Sequence, residues 1–187
     1  MDFSWKTDDG LDIFAIDWAV KDPKAVVCLV HGMGEHINRY HHLAEFMNKH
    51  GLAMIGNDHR GHGKSGGKRG HFRKYDDYLD EVDTLLDEAQ KRYPNKPILL
   101  WGHSKGGNIV LNYALRRNPK VAALIATGPW IELAFKPSAF LVTLGKMMRN
   151  IYPSFTQPSG LPPEDVAAFE EDGAVPGAKY GAHNTKA

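Results

Sequence analysis

The chain has almost no cysteine, almost no net charge and no long apolar run, and each scarcity removes a class of function. Cys28 is its only cysteine, so no intrachain disulfide staples the fold, and the composition suits a reducing compartment. Its setting, Val26-Val27-Cys28-Leu29-Val30, makes core packing its expected role. Twenty-three Lys and Arg offset twenty-two Asp and Glu, for a formal charge of +1. That balance gives no electrostatic footprint for nucleic acid or an anionic bilayer, and small neutral or amphipathic ligands fit better. No stretch of about 18 apolar residues occurs, and Met1-Asp2-Phe3-Ser4-Trp5-Lys6 lacks the basic-then-apolar order of a leader. The expectation is a soluble, cytoplasmic protein without an integral membrane segment. Neither His41-His42 nor His59 to His62 has a carboxylate or cysteine set in zinc-site order, so no metal and no cofactor are expected.

What is present is the alternation of an α/β protein. At 187 residues one domain is expected, and a domain near this length buries roughly 70% of its unfolded surface. Ala25 to Val30 and Leu52 to Ile55 are continuous apolar runs suited to strands buried on both faces. Ile98 to Trp101 and Val121 to Ala126 repeat the type, and Leu11 to Trp18 alternates as an early edge strand after Asp8-Asp9-Gly10. Helical spacing runs through Tyr40 to His50 and Tyr75 to Tyr93, closed by Gly51 and Pro94. A mostly parallel sheet with flanking helices follows. Trp130 to Ile151 is apolar and reads either as an inserted cap lining a greasy pocket or as a core helix. Tyr152 to Pro163 reads as a loop, Leu161 to Phe169 as a short helix, and Gly173 to Ala187 as a frayed tail.

The chemistry concentrates where Ile98-Leu99-Leu100-Trp101 breaks into Gly102-His103-Ser104-Lys105-Gly106-Gly107 and restarts as a helix. This G-x-S-x-G turn holds a serine at a sharp corner, with glycines that let strand and helix approach closely. Ser104 is the candidate nucleophile. Upstream, Leu29-Val30-His31-Gly32-Met33-Gly34-Glu35-His36 is a strand ending in a glycine-rich loop. The backbone N–H groups of Lys105 and Met33 are the candidate oxyanion donors, their side chains being secondary, and one such donor contributes on the order of 3 kcal/mol. Gly63-Lys64-Ser65 imitates a phosphate-binding loop, but the glycine required five positions earlier is Asp58. Asp58, Arg60 and the neighbouring histidines are expected to order the loop instead.

These segments are collinear with the α/β-hydrolase superfamily, and the chain resembles its monoacylglycerol lipase/lysophospholipase-like group, also grouped as serine aminopeptidase-like hydrolases. Asp9-Gly10-Leu11, His31-Gly32-Met33-Gly34-Glu35-His36, Arg39-Tyr40, Asp58 to Ser65 and the elbow Gly102 to Gly107 carry the resemblance, which spans Phe3 to Asp172. Lys105 stands where that group usually has methionine. The resemblance implies an α/β-hydrolase fold with a cap beginning after the fifth or sixth strand. It also implies cleavage of a small acyl ester, a monoacylglycerol or lysophospholipid, through an acyl-enzyme and a Ser-Asp-His triad without metal. It divides the chain into a core part at 1–129, a partial cap at 130–172 and a tail at 173–187.

The group's acid and histidine lie beyond the cap, after two further core strands that are expected to be absent here. His183 is the only one of ten histidines to follow Ser104, and it sits in the unpatterned tail, with Asp165 and Asp172 no better placed to orient it. His103 is expected to point away from the serine, and His31, His36, His59 and His62 to order loops. The expectation is therefore a shortened hydrolase, inactive alone. Its alternatives are a non-catalytic acyl-lipid-binding or interaction module, or a half completed by a second chain supplying Asp and His. An uncovered sheet edge would favour self-association.

Overall fold

In the computed structural model, residues 1–132 and 138–152 are described. They run β1 (Asp2–Lys6), β2 (Asp12–Trp18), β3 (Ala25–Val30), a 3-10 turn (Ile37–Tyr40), α1 (His41–Lys49), β4 (Leu52–Asn57) and α2 (Asp76–Arg92). β5 (Ile98–His103), α3 (Lys105–Arg117), β6 (Ala123–Thr127) and α4 (Ala139–Ile151) follow. The six strands form one sheet in the order β1-β2-β4-β3-β5-β6. β4, β3, β5 and β6 are parallel, while β1 on β2 and β2 on β4 are antiparallel. The fold is an α/β-hydrolase fold on a mostly parallel sheet.

Central position explains composition. β3, Ala-Val-Val-Cys-Leu-Val, is buried along its whole length, as a parallel strand covered on both faces must be. Val26, Cys28 and Val30 pack on one face with Leu79, Val82 and Leu85 of α2 and Ile109 and Val110 of α3. Val27 and Leu29 face the other side with Ala44, Met54 and Ile37, against the α1 flank. α2 carries Asp76 and Asp77 in its first turn and Lys91 and Arg92 in its last, charges that complement its dipole. The left-handed Asn118 closes α3.

The predicted strands at Ala25, Leu52, Ile98 and Val121 correspond to β3 to β6, and the predicted helices at Tyr40 and Tyr75 to α1 and α2. One expectation is corrected: Leu11 to Trp18 is not the edge. β2 lies one strand in, and the edge is β1, whose five residues alternate between exposed and half-buried and turn back through Thr7 to Gly10. Phe3 and Trp5 are its inward-facing residues; a strand that buries only two side chains has too little apolar pattern to be read from sequence. α4 follows β6, capped by Ser138 Oγ accepting the Leu141 N–H. None of its described side chains belongs to either apolar core, and Phe140, Met147 and Ile151 are exposed. The expected loop after Tyr152, the helix at Leu161 to Phe169, the tail, His183, Asp165 and Asp172 lie outside the described residues, as do the division at 172 and positions 133–137.

Register matters most for function. Val30 pairs with Asn57 on one side and Gly102 on the other, so the loops leaving β3, β4 and β5 emerge together at the carboxyl end of the sheet. That edge is where open α/β sheets bind ligands.

Cys28 gives a test of the core. Its side chain is fully buried, and burial pushes the thiol pKa up, out of the range of a nucleophile. A disulfide reagent such as dithionitrobenzoate should leave the native chain unmodified over minutes and titrate one thiol per chain in guanidinium. Rapid modification without denaturant would contradict the packing of β3.

Candidate active site

Ser104 sits at the β5–α3 junction with φ 52° and ψ −115°, a backbone conformation that costs a non-glycine residue of order 1–3 kcal/mol. Three backbone bonds hold it there. Its N–H donates to Thr127 O at 2.9 Å, and its carbonyl accepts from Asn108 N–H at 3.1 Å and Trp130 N–H at 3.0 Å. The glycines of the motif are steric requirements: a Cβ at Gly106 would lie 1.9 Å from Val30 O, and one at Gly102 would lie 2.2 Å from Gly106 O. Helix α3 therefore begins directly against the ends of β3 and β5. Ser104 Oγ caps nothing, which leaves it available to a substrate.

The loop after β3 lies against this corner. A Cβ on Gly32 would meet Ser104 Cβ at 3.2 Å and Glu35 Oε1 at 2.6 Å. Glu35 ties the loop into a ring: its carboxylate accepts from the Gly32 N–H, from Tyr40 Oη at 2.9 Å and from Arg39 at 3.1 Å. Among the described residues, neither the Met33 N–H nor the Lys105 N–H donates to a protein acceptor. Lys105 opens a helix, where the first N–H groups have no intrahelical partner. The two proposed donors thus stand on elements that meet at Ser104.

Four histidines of this edge make structural bonds. His59 N–H donates to His31 Nε2 at 2.9 Å, so the His31 proton is on Nδ1 and donates to Gly32 O at 2.7 Å. His59 Nε2 donates to His31 O at 2.9 Å, and His62 Nδ1 to Arg60 O at 3.0 Å. Burial, reinforced by neighbouring His59, holds His31 well below the usual imidazole range and His62 at about 3. Such weak bases make poor proton acceptors at neutral pH. His103 bonds Thr127 Oγ1 at 3.2 Å and is exposed.

The phosphate-loop imitation fails for a physical reason. The Asp58 carboxylate accepts from Ile37 N–H at 2.7 Å and Lys64 N–H at 2.8 Å, and a Cβ on Gly63 would stand 2.0 Å from it. A carboxylate already occupies the concavity. Behind it, Arg60 is buried against Glu81 at 2.6 Å, Asp77 at 2.9 Å and Asp9 at 3.2 Å. Sequence reasoning missed Asp77 and Glu81. Their signal was two acids, four apart, interrupting the buried stripe of α2 beside Tyr78 and Val82.

The Lys105 side chain takes a larger part than expected. Nζ donates to Tyr78 Oη at 2.6 Å and lies over the Tyr78 ring at 4.0 Å. It lines a cavity of about 590 Å³ with Met33, Phe72, Tyr75, Tyr78 and Trp130. Burial lowers its pKa to about 8, against a smaller opposing pull from Glu81.

A profile of the serine aminopeptidase S33 hydrolases matches residues 21–173. The chain belongs to that family. Within the α/β-hydrolase superfamily it falls with the monoacylglycerol lipase-like proteins. It is 36% identical over 160 residues to a monoacylglycerol lipase of Mycolicibacterium smegmatis, covering 82% of this chain and 57% of that one. A phospholipase of Bacillus subtilis is 34% identical over 156 residues, covering 83% of this chain and 59% of its own. The crystal structure of a Paleococcus ferrophilus monoacylglycerol lipase superimposes with a TM-score of 0.69 at 33% identity, covering 81% of this chain and 56% of that one. The chain thus spans less than two thirds of the length of these relatives.

Two expected outcomes follow. The folded-state pKa values of His31 and His62 lie below the ordinary value of 6.5, so the unfolded chain binds more protons below that pH. Stability is complete above pH 6.5 and is lost as pH falls toward 3, by up to about 1.4 kcal/mol per pH unit for each histidine. Urea midpoints at pH 7, 6 and 5 should fall in that order; a flat series would refute buried neutral imidazoles. Separately, Lys105 is about half neutral at pH 8, whereas an ordinary lysine of pKa ~10.4 is neutral to well under 1%. An amine-reactive ester at pH 8 should modify Lys105 first, read by peptide mass spectrometry, and labelling that begins at other lysines would count against the buried amine.

Proposed function

We propose that this chain carries the nucleophile and oxyanion donors of a serine ester hydrolase acting on monoacylglycerol-type acyl esters. The observation that carries the reading is Ser104 at its strained corner, packed against Gly32, with the uncommitted N–H groups of Met33 and Lys105 on the two elements that meet there. In the reaction, Ser104 Oγ attacks the ester carbonyl carbon, and the π electrons move to the carbonyl oxygen, where both N–H groups meet the developing charge. Collapse expels the alcohol, and water then releases the acyl group from Ser104. Each step moves a proton, which requires a base near neutrality. His31, His59, His62 and His103 spend ring nitrogens on structural bonds.

We therefore assign the base to none of these four histidines, and the reading expects low turnover from the 187-residue chain alone. In a triad hydrolase, loss of the histidine costs on the order of a million-fold. A second chain supplying Asp and His along β6, the last strand of the described sheet, is one route to completion. The cavity favours a second reading, an acyl-lipid-binding module that holds its ligand without turning it over.

A fluorophosphonate probe separates the readings. The reading predicts labelling confined to Ser104, slow in the chain alone, abolished by Ser104→Ala, and accelerated if a completing chain is supplied. Fast labelling would mean that a base is already in place. Monoacylglycerol binding with no labelling under any condition would replace the hydrolase by the binding module.

A further inference from the structure

Lys105 poses an energetic problem that the ester reaction does not solve. Only its backbone N–H is needed for the oxyanion, yet its side chain is drawn into the cavity beside Met33 and Trp130. An ammonium has three donors. One goes to Tyr78 Oη at 2.6 Å, and no carboxylate lies within ion-pair distance of Nζ among the described residues. The remaining compensation is the Tyr78 ring at 4.0 Å, the Phe72 ring at 5.5 Å and a weaker attraction from Glu81 beyond ion-pair distance. Ring faces replace only part of the hydration that an ammonium loses on burial. The cavity wall offers it no acid, for none of the described lining residues is Asp or Glu. Arg69, bonded to the carbonyls of Gly63 and Gly67, adds a second positive charge to the same wall.

We infer that Lys105 Nζ is a recognition site for an anionic group on the ligand, so that the cavity takes an amphiphile with an apolar chain and one carboxylate or phosphate. The aromatic and aliphatic wall receives the chain, and the two donors that Lys105 does not give to Tyr78 receive the anion. This inference narrows the ester-hydrolase reading from neutral monoacylglycerols to acyl esters that also carry an anionic group, and rests on that reading for the claim that the ligand is a substrate; the binding preference stands without it. Burial lowers the amine to about 8, which still leaves it mostly protonated at pH 7, and a bound anion favours the charged form further. A methionine at this position would remove the ammonium from the wall and leave Arg69 as the charged side chain among the described lining residues.

The test compares octanoate, octyl phosphate and octanamide by calorimetry on the 187-residue chain at pH 7 and low salt, below their micelle concentrations. A hydrogen bond to a charged group contributes about 1.5–3 kcal/mol, so at least one anion should bind about tenfold or more tightly than the amide. Preference for octanoate identifies a carboxylate site, and preference for octyl phosphate a phosphate site. Lys105→Met should bring the ratio close to one, whereas Lys105→Arg should keep a preference. Equal binding of anion and amide, an unchanged ratio in Lys105→Met, or no binding of any of the three would overturn the inference. Because the readout is binding, absence of fluorophosphonate labelling at Ser104 would remove the hydrolase reading while leaving this ratio in force.

Discussion

The close contact between the first turn of α3 and the ends of β3 and β5 is the constraint from which the rest of the site follows. A methyl group at Gly106 would overlap Val30 O at 1.9 Å, so the helix can approach only as glycine. That approach forces Ser104 into the left-handed region and leaves the opening N–H of the helix without an acceptor. The strain is matched by bonds from Thr127, Asn108 and Trp130 to the Ser104 backbone. Strain at one residue, sustained by secondary structure on every side, is the usual economy of a nucleophile elbow.

The loop that carries Met33 depends on a buried polar assembly that begins far from it. Arg60 joins α2 to the loop after β4 through Glu81 and Asp77. His59 then joins that loop to His31, and His31 fixes the Gly32 carbonyl. Burial pushes the Asp77 carboxyl up, but the hydrogen bond from Arg73 and the charge of Arg60 outweigh it and hold its pKa below the ordinary value. Buried ion pairs of this kind add little net stability compared with apolar packing, though breaking one side of them is costly. Their product here is position: a loop of Gly32-Met33-Gly34 that Glu35 closes from one side and His31 from the other.

The elements that position the site were largely legible because they are internal. β3, β4 and β5 are buried on both faces, and strands of that kind write themselves as unbroken apolar runs. The elbow was legible because glycine at 102 and 106 is a steric necessity with few substitutes. β1 was not legible, since an edge strand that buries Phe3 and Trp5 alone leaves a five-residue pattern. Asp77 and Glu81 escaped notice because acids on a helix ordinarily mark its wet face, and only the partner Arg60, distant in sequence, makes them internal. Lys105 was legible as a backbone donor and illegible as a side chain, because a lysine carries no sequence sign of the tyrosine it will find.

In the proposed reaction, the oxyanion half of the site and its proton-transfer half are separable. Every bond that fixes Met33 and Lys105 lies between β3 and the turn after β6; none requires a histidine general base. Preorganised donors act on the charge that appears at the carbonyl oxygen and need no reorganisation at the moment of reaction. A base, by contrast, needs only to reach Ser104 Oγ, whose hydroxyl is left uncommitted by the elbow. The elbow and its loop can thus be rigid before any base is present. On the proposed reading, a base from another part of the polypeptide, or from another chain, would meet a nucleophile and two donors already in register.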